Sequence, residues 1–298
     1  VLPELMPRLK HNSPCMAKLD RLGWTNGTCI EAHGLRIGIR ANRPDVLRAF
    51  ESRLPPGWKP LSRPDVRRLF SLWLGGSAGK VKRYNLVYAG ILRRARTLDV
   101  EEALQTLEAE LRQAVAAGAR RRVFLHAGVV GWRGRAIVVP GRSGAGKTTL
   151  VAELVRAGAT YYSDEFAVLD AAGRIHPFAK PLSIRGGSGV IMTPVGALGG
   201  EAGEAPLRPI LFALATHRPR SRWRPARLTP GRALLALLGH TVPVRRRPAA
   251  SLAALRAALR SSLVLKGPRG EAPEAASSLL RAAERALREE HRLRRGAA

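Results

Sequence analysis

Leu35-Arg36-Ile37-Gly38-Ile39-Arg40 alternates apolar side chains with polar or small ones, the period of a half-buried strand. Pro44 then opens a predicted short helix with Val46, Leu47 and Phe50 on one side, and Pro55-Pro56-Gly57 stops it. The first 35 residues read as loop, punctuated by Pro3, Pro7, Pro14, Gly23 and Asn26-Gly27. Residues 59–80 read as loop and short helix, ending in the glycine-rich stretch that closes at Gly79. Tyr84–Ala89 is a predicted strand. Asp99 with Glu102 makes a capping-box pattern, after which Val100, Ala103, Leu104, Leu107, Leu111 and Val115 recur at helical spacing until Gly118. That helix closes an α+β N-terminal region, residues 1–118.

The second region, 119–298, opens with the apolar run Arg122-Val123-Phe124-Leu125-His126. A turn at Gly131–Gly134 follows, then the apolar run Ala136-Ile137-Val138-Val139. Beyond Pro140 come a glycine-rich loop and a helix with Leu150, Val151, Leu154 and Val155 on one face, ended by Gly158. Phe166–Leu169 and Arg174–Pro177 flank Asp170-Ala171-Ala172-Gly173 as a predicted β-hairpin. Residues 186–206 hold many glycines and few charges and read as a long mobile loop. A strand at Ile210–Leu214 precedes an arginine-rich loop to about 227, and Thr229-Pro230 starts a helix ending at Gly239. Two further helices are predicted over 249–264 and 273–294. In the last, Glu284 and Arg288 stand at the favourable four-residue spacing.

Composition changes this picture in only one respect. Hydrophobic residues at 45% and charged residues at 24% are ordinary globular values, so wholesale disorder is excluded. Cys15 and Cys29 are too few for a disulfide framework or a zinc cluster. No run of apolar residues is long enough for a membrane span, and the opening Val-Leu-Pro-Glu-Leu lacks a signal layout, which makes the cytoplasm the expected compartment. The exception is the charge of +29, from 51 basic against 22 acidic side chains. It predicts attraction to polyanions, an acidic partner included. The arginines are spread over the whole chain alongside abundant alanine, as a coding bias would leave them, and no nucleic-acid module is recognisable.

The chemistry lies in Gly141-Arg142-Ser143-Gly144-Ala145-Gly146-Lys147-Thr148, followed by Thr149, which fits the phosphate-loop pattern G-x-x-x-x-G-K-[ST] at every fixed position. Its glycines let successive N–H groups turn toward phosphate oxygens, and Lys147 can reach the β- and γ-phosphates. The Thr148 hydroxyl can ligate Mg²⁺, and the helix that begins here aims its positive end at the same anion. One helix further on, Asp164 and Glu165 are adjacent carboxylates that can divide labour between Mg²⁺ and an incoming hydroxyl. His126 stands before the loop, at the end of the preceding apolar segment.

Together His126-Ala-Gly-Val-Val, the loop 141–149 and Gly158-Ala-Thr-Tyr-Tyr-Ser-Asp164-Glu165 resemble HPr kinase/phosphorylase in order and spacing. More closely they resemble the HPr-kinase-related proteins of peptide-modifying machinery, including kinases that phosphorylate lasso-peptide tails. Pro177–Arg185 is similar to the stretch that follows the acidic pair in those relatives. The resemblance is strong over about 122–185. It implies the mixed central sheet of HPr kinase and phosphoenolpyruvate carboxykinase, ATP and Mg²⁺ as cofactors, and a serine hydroxyl on a peptide or protein as acceptor. On the matching positions it implies Asp164 as the catalytic carboxylate, His126 as the active-site histidine and Lys147 on the phosphates. Thr148 and Glu165 then fall on the metal side, and Arg185 becomes a candidate for gripping substrate. Glu165 stands where HPr kinases carry a second aspartate. The second signature segment of those kinases is not recognisable in 186–206, which speaks against HPr as acceptor and against reverse phosphorolysis.

The expected protein is therefore an α/β phosphate-loop kinase with a smaller N-terminal region, acting on a serine-bearing peptide or protein and compatible with homo-oligomerisation. Two alternatives stand beside it. A small-metabolite hydroxyl kinase needs the same nucleotide site but a closed acceptor pocket. A nucleotide-gated NTPase that binds nucleic acid or an assembly partner is disfavoured by the lack of a transporter-type signature.

Overall fold

In the computed structural model, residues 2, 4–9, 14–78, 81–142, 144–186 and 189–296 are described. Pro3, Gly79 and Ser143 lie outside them. Contacts divide the chain into two units, 1–121 and 122–298.

The first unit runs β1 (Arg8–Leu9), α1 (Pro14–Asp20), β2 (Asn26–Ala32), β3 (Leu35–Ala41), α2 (Pro44–Phe50), β4 (Trp58–Pro60), β5 (Asp65–Val66), β6 (Arg68–Trp73), β7 (Ser77–Ala78), β8 (Val81–Lys82), β9 (Asn85–Ala89), β10 (Leu92–Thr97) and α3 (Val100–Gly118). Its main sheet has the order β10-β9-β6-β3-β2-β4, with β3 and β6 parallel and the other neighbours antiparallel. Helix α3 packs on this sheet and buries Ala103, Leu107, Leu111 and Val115. Its start is capped by Asp99, whose carboxylate accepts from the Glu101 N–H. Glu102 does not reach back to the cap directly. It accepts from the Thr97 hydroxyl, which itself accepts from the Asp99 N–H, so a threonine bridges the predicted box.

Two expectations for this unit are corrected. Within the first 35 residues, expected as loop, Pro14–Asp20 is a helix and Asn26–Ala32 a strand, in which Gly27 is a close-approach site and not a turn. A side chain on Gly27 would stand 2.5 Å from the Pro7 ring. Residues 58–82 hold five strands in place of loop and short helix. The central one, β6, is buried over Leu69–Leu72, so it shows no alternation of polar and apolar residues.

The second unit runs β11 (Val123–Trp132), β12 (Arg135–Pro140), α4 (Lys147–Arg156), β13 (Thr160–Ser163), β14 (Phe166–Leu169), β15 (Ile175–His176), β16 (Leu182–Gly186), β17 (Gly189–Thr193), β18 (Arg208–His217), β19 (Ala226–Arg227), α5 (Pro230–Leu238), α6 (Pro248–Leu259), β20 (Leu263–Arg269) and α7 (Ala272–Gly296). The sheet order is β15-β14-β11-β12-β18-β20-β19, with β13 also paired to β11. Strands β12, β18 and β20 run parallel, and β11 is antiparallel to its neighbours, so the sheet is mixed. On one face it packs against α4 and α7 through Val139, Leu150, Leu154, Leu211 and Leu279. On the other it packs against α5 and α6 through Val138, Phe212, Leu237 and Leu255. The unit is a mixed α/β structure with helices on both faces.

Here too the structure departs from expectation. Leu263–Arg269 is a strand, so the predicted helix over 249–264 stops at Leu259. The stretch 186–206 is not a plain loop. It holds part of the β16–β17 hairpin and a 3₁₀ turn at Val195–Leu198, while Gly203 lies so close to the Tyr162 ring that a side chain would overlap it. Residues 187 and 188 lie outside the described residues. No helix among the described residues is long and apolar enough to cross a membrane.

Candidate active site

Strand β11 organises the site because it changes partners halfway along. It pairs with β14 up to His126↔Phe166 and with β13 from Val129↔Ser163, and the two residues between those partners are Asp164 and Glu165. The pair is thereby forced out of the ladder beside the phosphate loop. The same point of β11 ties down three other segments. The His126 carbonyl accepts from the Gly141 N–H at 3.1 Å, and the His126 N–H donates to the His240 carbonyl at 2.9 Å. The Ala127 N–H donates to the Glu165 carbonyl at 3.1 Å.

The loop leaves β12 at Pro140 and enters α4 at Lys147, with Gly146 in the left-handed region at φ 73° as the helix cap. The amine of Lys147 donates to the Arg142 carbonyl at 2.7 Å. Burial lowers its pKa, against the raising pull of the Asp164 and Glu165 charges. The Thr148 hydroxyl donates to Asp164 Oδ2 at 2.9 Å. Loop and acidic pair therefore meet through one hydrogen bond, between residues sixteen apart in sequence.

Asp164 is buried, at 4% exposure, and is surrounded by donors. Its Oδ1 lies 3.0 Å from the Lys180 amine and 3.1 Å from the Tyr161 hydroxyl, and the Ser183 N–H approaches Oδ2 at 3.5 Å. Burial, and next the Asp164 charge, raise the Tyr161 pKa, so this phenol stays a donor. Glu165 Oε2 is 3.8 Å from the same Lys180 amine. His126 is half-buried with its ring 4.9 Å from that of Phe166. Its pKa is lowered by burial first and then by the charges of Lys147 and His240, which favours the neutral imidazole.

A cavity of about 700 Å³ opens on the loop. Gly141, Arg142, Gly144, Ala145, Gly146 and Thr149 form one wall; the ends of β18 and β20, with His240 and Glu271, form the other. His126, Lys147, Thr148, Asp164 and Glu165 are not part of its lining. The exposed Arg218, Arg220, Arg222 and Arg224 follow directly on β18, whose His217 lines the cavity. The backbone of Arg185 pairs with Val190 in the β16–β17 hairpin.

The residues present suit Mg²⁺. They offer hard oxygen donors, the Thr148 hydroxyl and the Asp164 carboxylate in contact and Glu165 next in sequence, the sparse set this ion takes when phosphates and water complete its shell. Among the described residues no cluster of three or more His, Cys, Asp or Glu side chains suggests a dedicated protein cage for a metal.

Sequence reasoning singled out neither Lys180, Tyr161, His240 nor Arg269. No family model and no curated protein matches the chain. Among solved structures, the HPr(Ser) kinase/phosphatase from Coxiella burnetii is similar to it at a TM-score of 0.36 and 16% identity, over 56% of this chain and 98% of that one.

Proposed function

We propose that the second unit is an ATP-dependent phosphotransferase that moves the γ-phosphoryl group to a hydroxyl, with serine on a peptide or protein as the acceptor. The observation that carries this reading is the hydrogen bond of Thr148 to Asp164, which joins a phosphate loop to a buried carboxylate. A nucleotide in the 700 Å³ cavity would lay its phosphates along the loop N–H groups, toward Thr148 and the acidic pair. Lys147 would exchange the Arg142 carbonyl for phosphate oxygens. Mg²⁺, held by Thr148 and Glu165, would supply charge neutralisation to the transferring phosphates.

Asp164, fixed by its donors, aligns the acceptor hydroxyl and takes its proton. The acceptor oxygen bonds to phosphorus as the bond from phosphorus to the bridging oxygen breaks, and ADP leaves. His126, neutral and against the base of the loop, holds Gly141 through its backbone and can accept a hydrogen bond through its ring. The exposed arginines after β18 favour an acidic peptide. A ribosomal precursor such as a lasso peptide is the instance suggested by the sequence resemblance.

The test is ATP turnover with Mg²⁺ in the presence of serine peptides, an Ala-substituted control peptide and free serine. Serine-dependent phosphopeptide formation is the expected result. Phosphorylation of free serine as readily as any peptide would transfer the reading to a metabolite kinase, and no ATP turnover with any acceptor would end it.

A further inference from the structure

One wall of the cavity holds a buried arginine that makes no ion pair among the described residues. Arg269 ends β20, in register with His217 of β18, and is 3% exposed. Its NH1 donates to the Gly270 carbonyl at 3.0 Å and its NH2 to the Gly146 carbonyl at 3.1 Å, while Nε is buried without a partner. Among the described residues no carboxylate lies within ion-pair distance of it. The nearest in sequence, Glu271, faces His217 at 3.4 Å. Burial pushes the guanidinium pKa below its ordinary value, and only the more distant Glu271 charge opposes that.

A lone buried guanidinium is expensive unless something anionic completes it. The only acidic group in the cavity lining, Glu271, is turned to His217, and the rest of the lining suits an anion. Arg142, Lys266 and Arg269 line the cavity against the single acidic Glu271, and the buried Nδ1 of His240 is also without a partner. Contact with the loop is close. A side chain on Gly146 would stand 2.6 Å from the Arg269 NH2, so the last glycine of the phosphate loop is shaped around this guanidinium as much as by its own left-handed φ.

We propose that Arg269 is a nucleotide-positioning residue. It fixes the last turn of the phosphate loop through the Gly146 carbonyl, and its charge is balanced by the phosphates that enter the cavity. This rests on the nucleotide-binding part of the proposed function and adds to it a residue more than a hundred positions beyond the loop in sequence. The competing account is a structural strut tying β20 to the start of α4, which would contribute to folding and leave nucleotide affinity alone.

Arg269→Gln separates the two, because it keeps a donor for the Gly146 carbonyl and removes the charge. Isothermal titration of the full chain with MgATP and MgADP, at several salt concentrations, gives Kd and its salt slope; a thermal melt without nucleotide gives stability. The expected result is a Kd for MgATP raised at least tenfold with a flatter salt dependence, no fall in the nucleotide-free melting temperature, and a KM for ATP that rises more than kcat falls. Arg269→Lys, which keeps the charge, should bind within a few fold of wild type, and it decides the matter if the glutamine variant does not fold. A glutamine variant that binds MgATP within twofold of wild type overturns the proposal, as does a lysine variant weakened tenfold. Either result leaves the kinase reading intact, whereas a wild-type chain that binds no nucleotide removes both.

Discussion

Replacing Asp164 by Asn should damage the protein in two separable ways. The Asp164–Lys180 pair is 3.0 Å long, with side chains 3% and 9% exposed, so neither charge is well screened by water. Removing one member of such a pair destabilises by about 3–5 kcal/mol, because the other charge is left buried. Lys180 would keep Glu165 at 3.8 Å and the Pro181 carbonyl at 3.4 Å, which places Asp164→Asn at the lower end, about 3 kcal/mol. For a unit of this size that corresponds to a fall of about 6–12 °C in melting temperature. Lys180→Met should be milder, since Asp164 retains Thr148, Tyr161 and the Ser183 N–H. The double variant should return to within about 1 kcal/mol of wild type, as matched removal of both charges does. Urea melts of the four proteins give the cycle, and phosphoryl transfer measured at a temperature where all four are folded gives the chemistry. Activity should stay absent in Asp164→Asn and in the double variant alike. An Asp164→Asn stability within about 0.5 kcal/mol of wild type would mean the pair behaves as a screened surface pair. A double variant that transfers phosphate would take Asp164 out of the mechanism.

Four further outcomes are expected. Lys147→Ala should abolish transfer with little change in stability and raise the NMR titration midpoint of His126, since the Lys147 charge is the second cause of its depression after burial; an unmoved midpoint would break that link. Asp170 is buried, which raises its pKa, but bonds from His176 and Arg174 outweigh burial and hold it at about 2. Its contribution, about 2 kcal/mol, is present above pH 4 and lost as pH falls from about 4 to about 2, so Asp170→Asn should flatten acid unfolding in that window and nowhere else. Cys29 is buried against the Leu5 and Pro64 carbonyls with its thiol pushed up to about 11, so in a Cys15→Ser chain a thiol reagent at pH 8 should label it at least about a hundredfold slower than after unfolding. At saturating ATP, rising salt should raise the KM for an acidic peptide with little change in maximal rate, and a flat KM would count against capture by Arg218, Arg220, Arg222 and Arg224.

The parts of the fold that were legible in sequence are those whose pattern is one-sided. Helix α3 and helix α4 each bury a single stripe, Leu107–Leu111–Val115 in one and Leu150–Leu154 in the other, so the period survives in the sequence. Strands β2, β6 and β20 lie inside sheets, each between two neighbours, and lose it. Strand β20 is further disguised by Gly267-Pro268, which reads as a break. In place, Gly267 lies against the backbone of Pro225, and Pro268 pairs with Thr216 near the strand end. These features depend on a neighbour far away in sequence, and no window along the chain contains that neighbour.

The same division runs through the site. The phosphate loop is a local device, one backbone turn feeding one helix, and eight residues suffice to announce it. What surrounds it comes from β11, β13, β18, β20 and the end of α5, and those contributions are single residues. A signal for some of them did exist. The second unit is crowded with arginine, yet its only lysines are Lys147, Lys180 and Lys266. Lys147 lies in the loop, Lys180 is buried on the acidic pair, and Lys266 lines the cavity. Two of the three sit where a guanidinium fork would fit poorly: Lys147 with its amine on the Arg142 carbonyl, and Lys180 beside Asp164 and Glu165. The opposite case is Arg269, a buried guanidinium at the loop. There the planar fork is needed, because one arm must reach the Gly146 carbonyl while another turns back to Gly270.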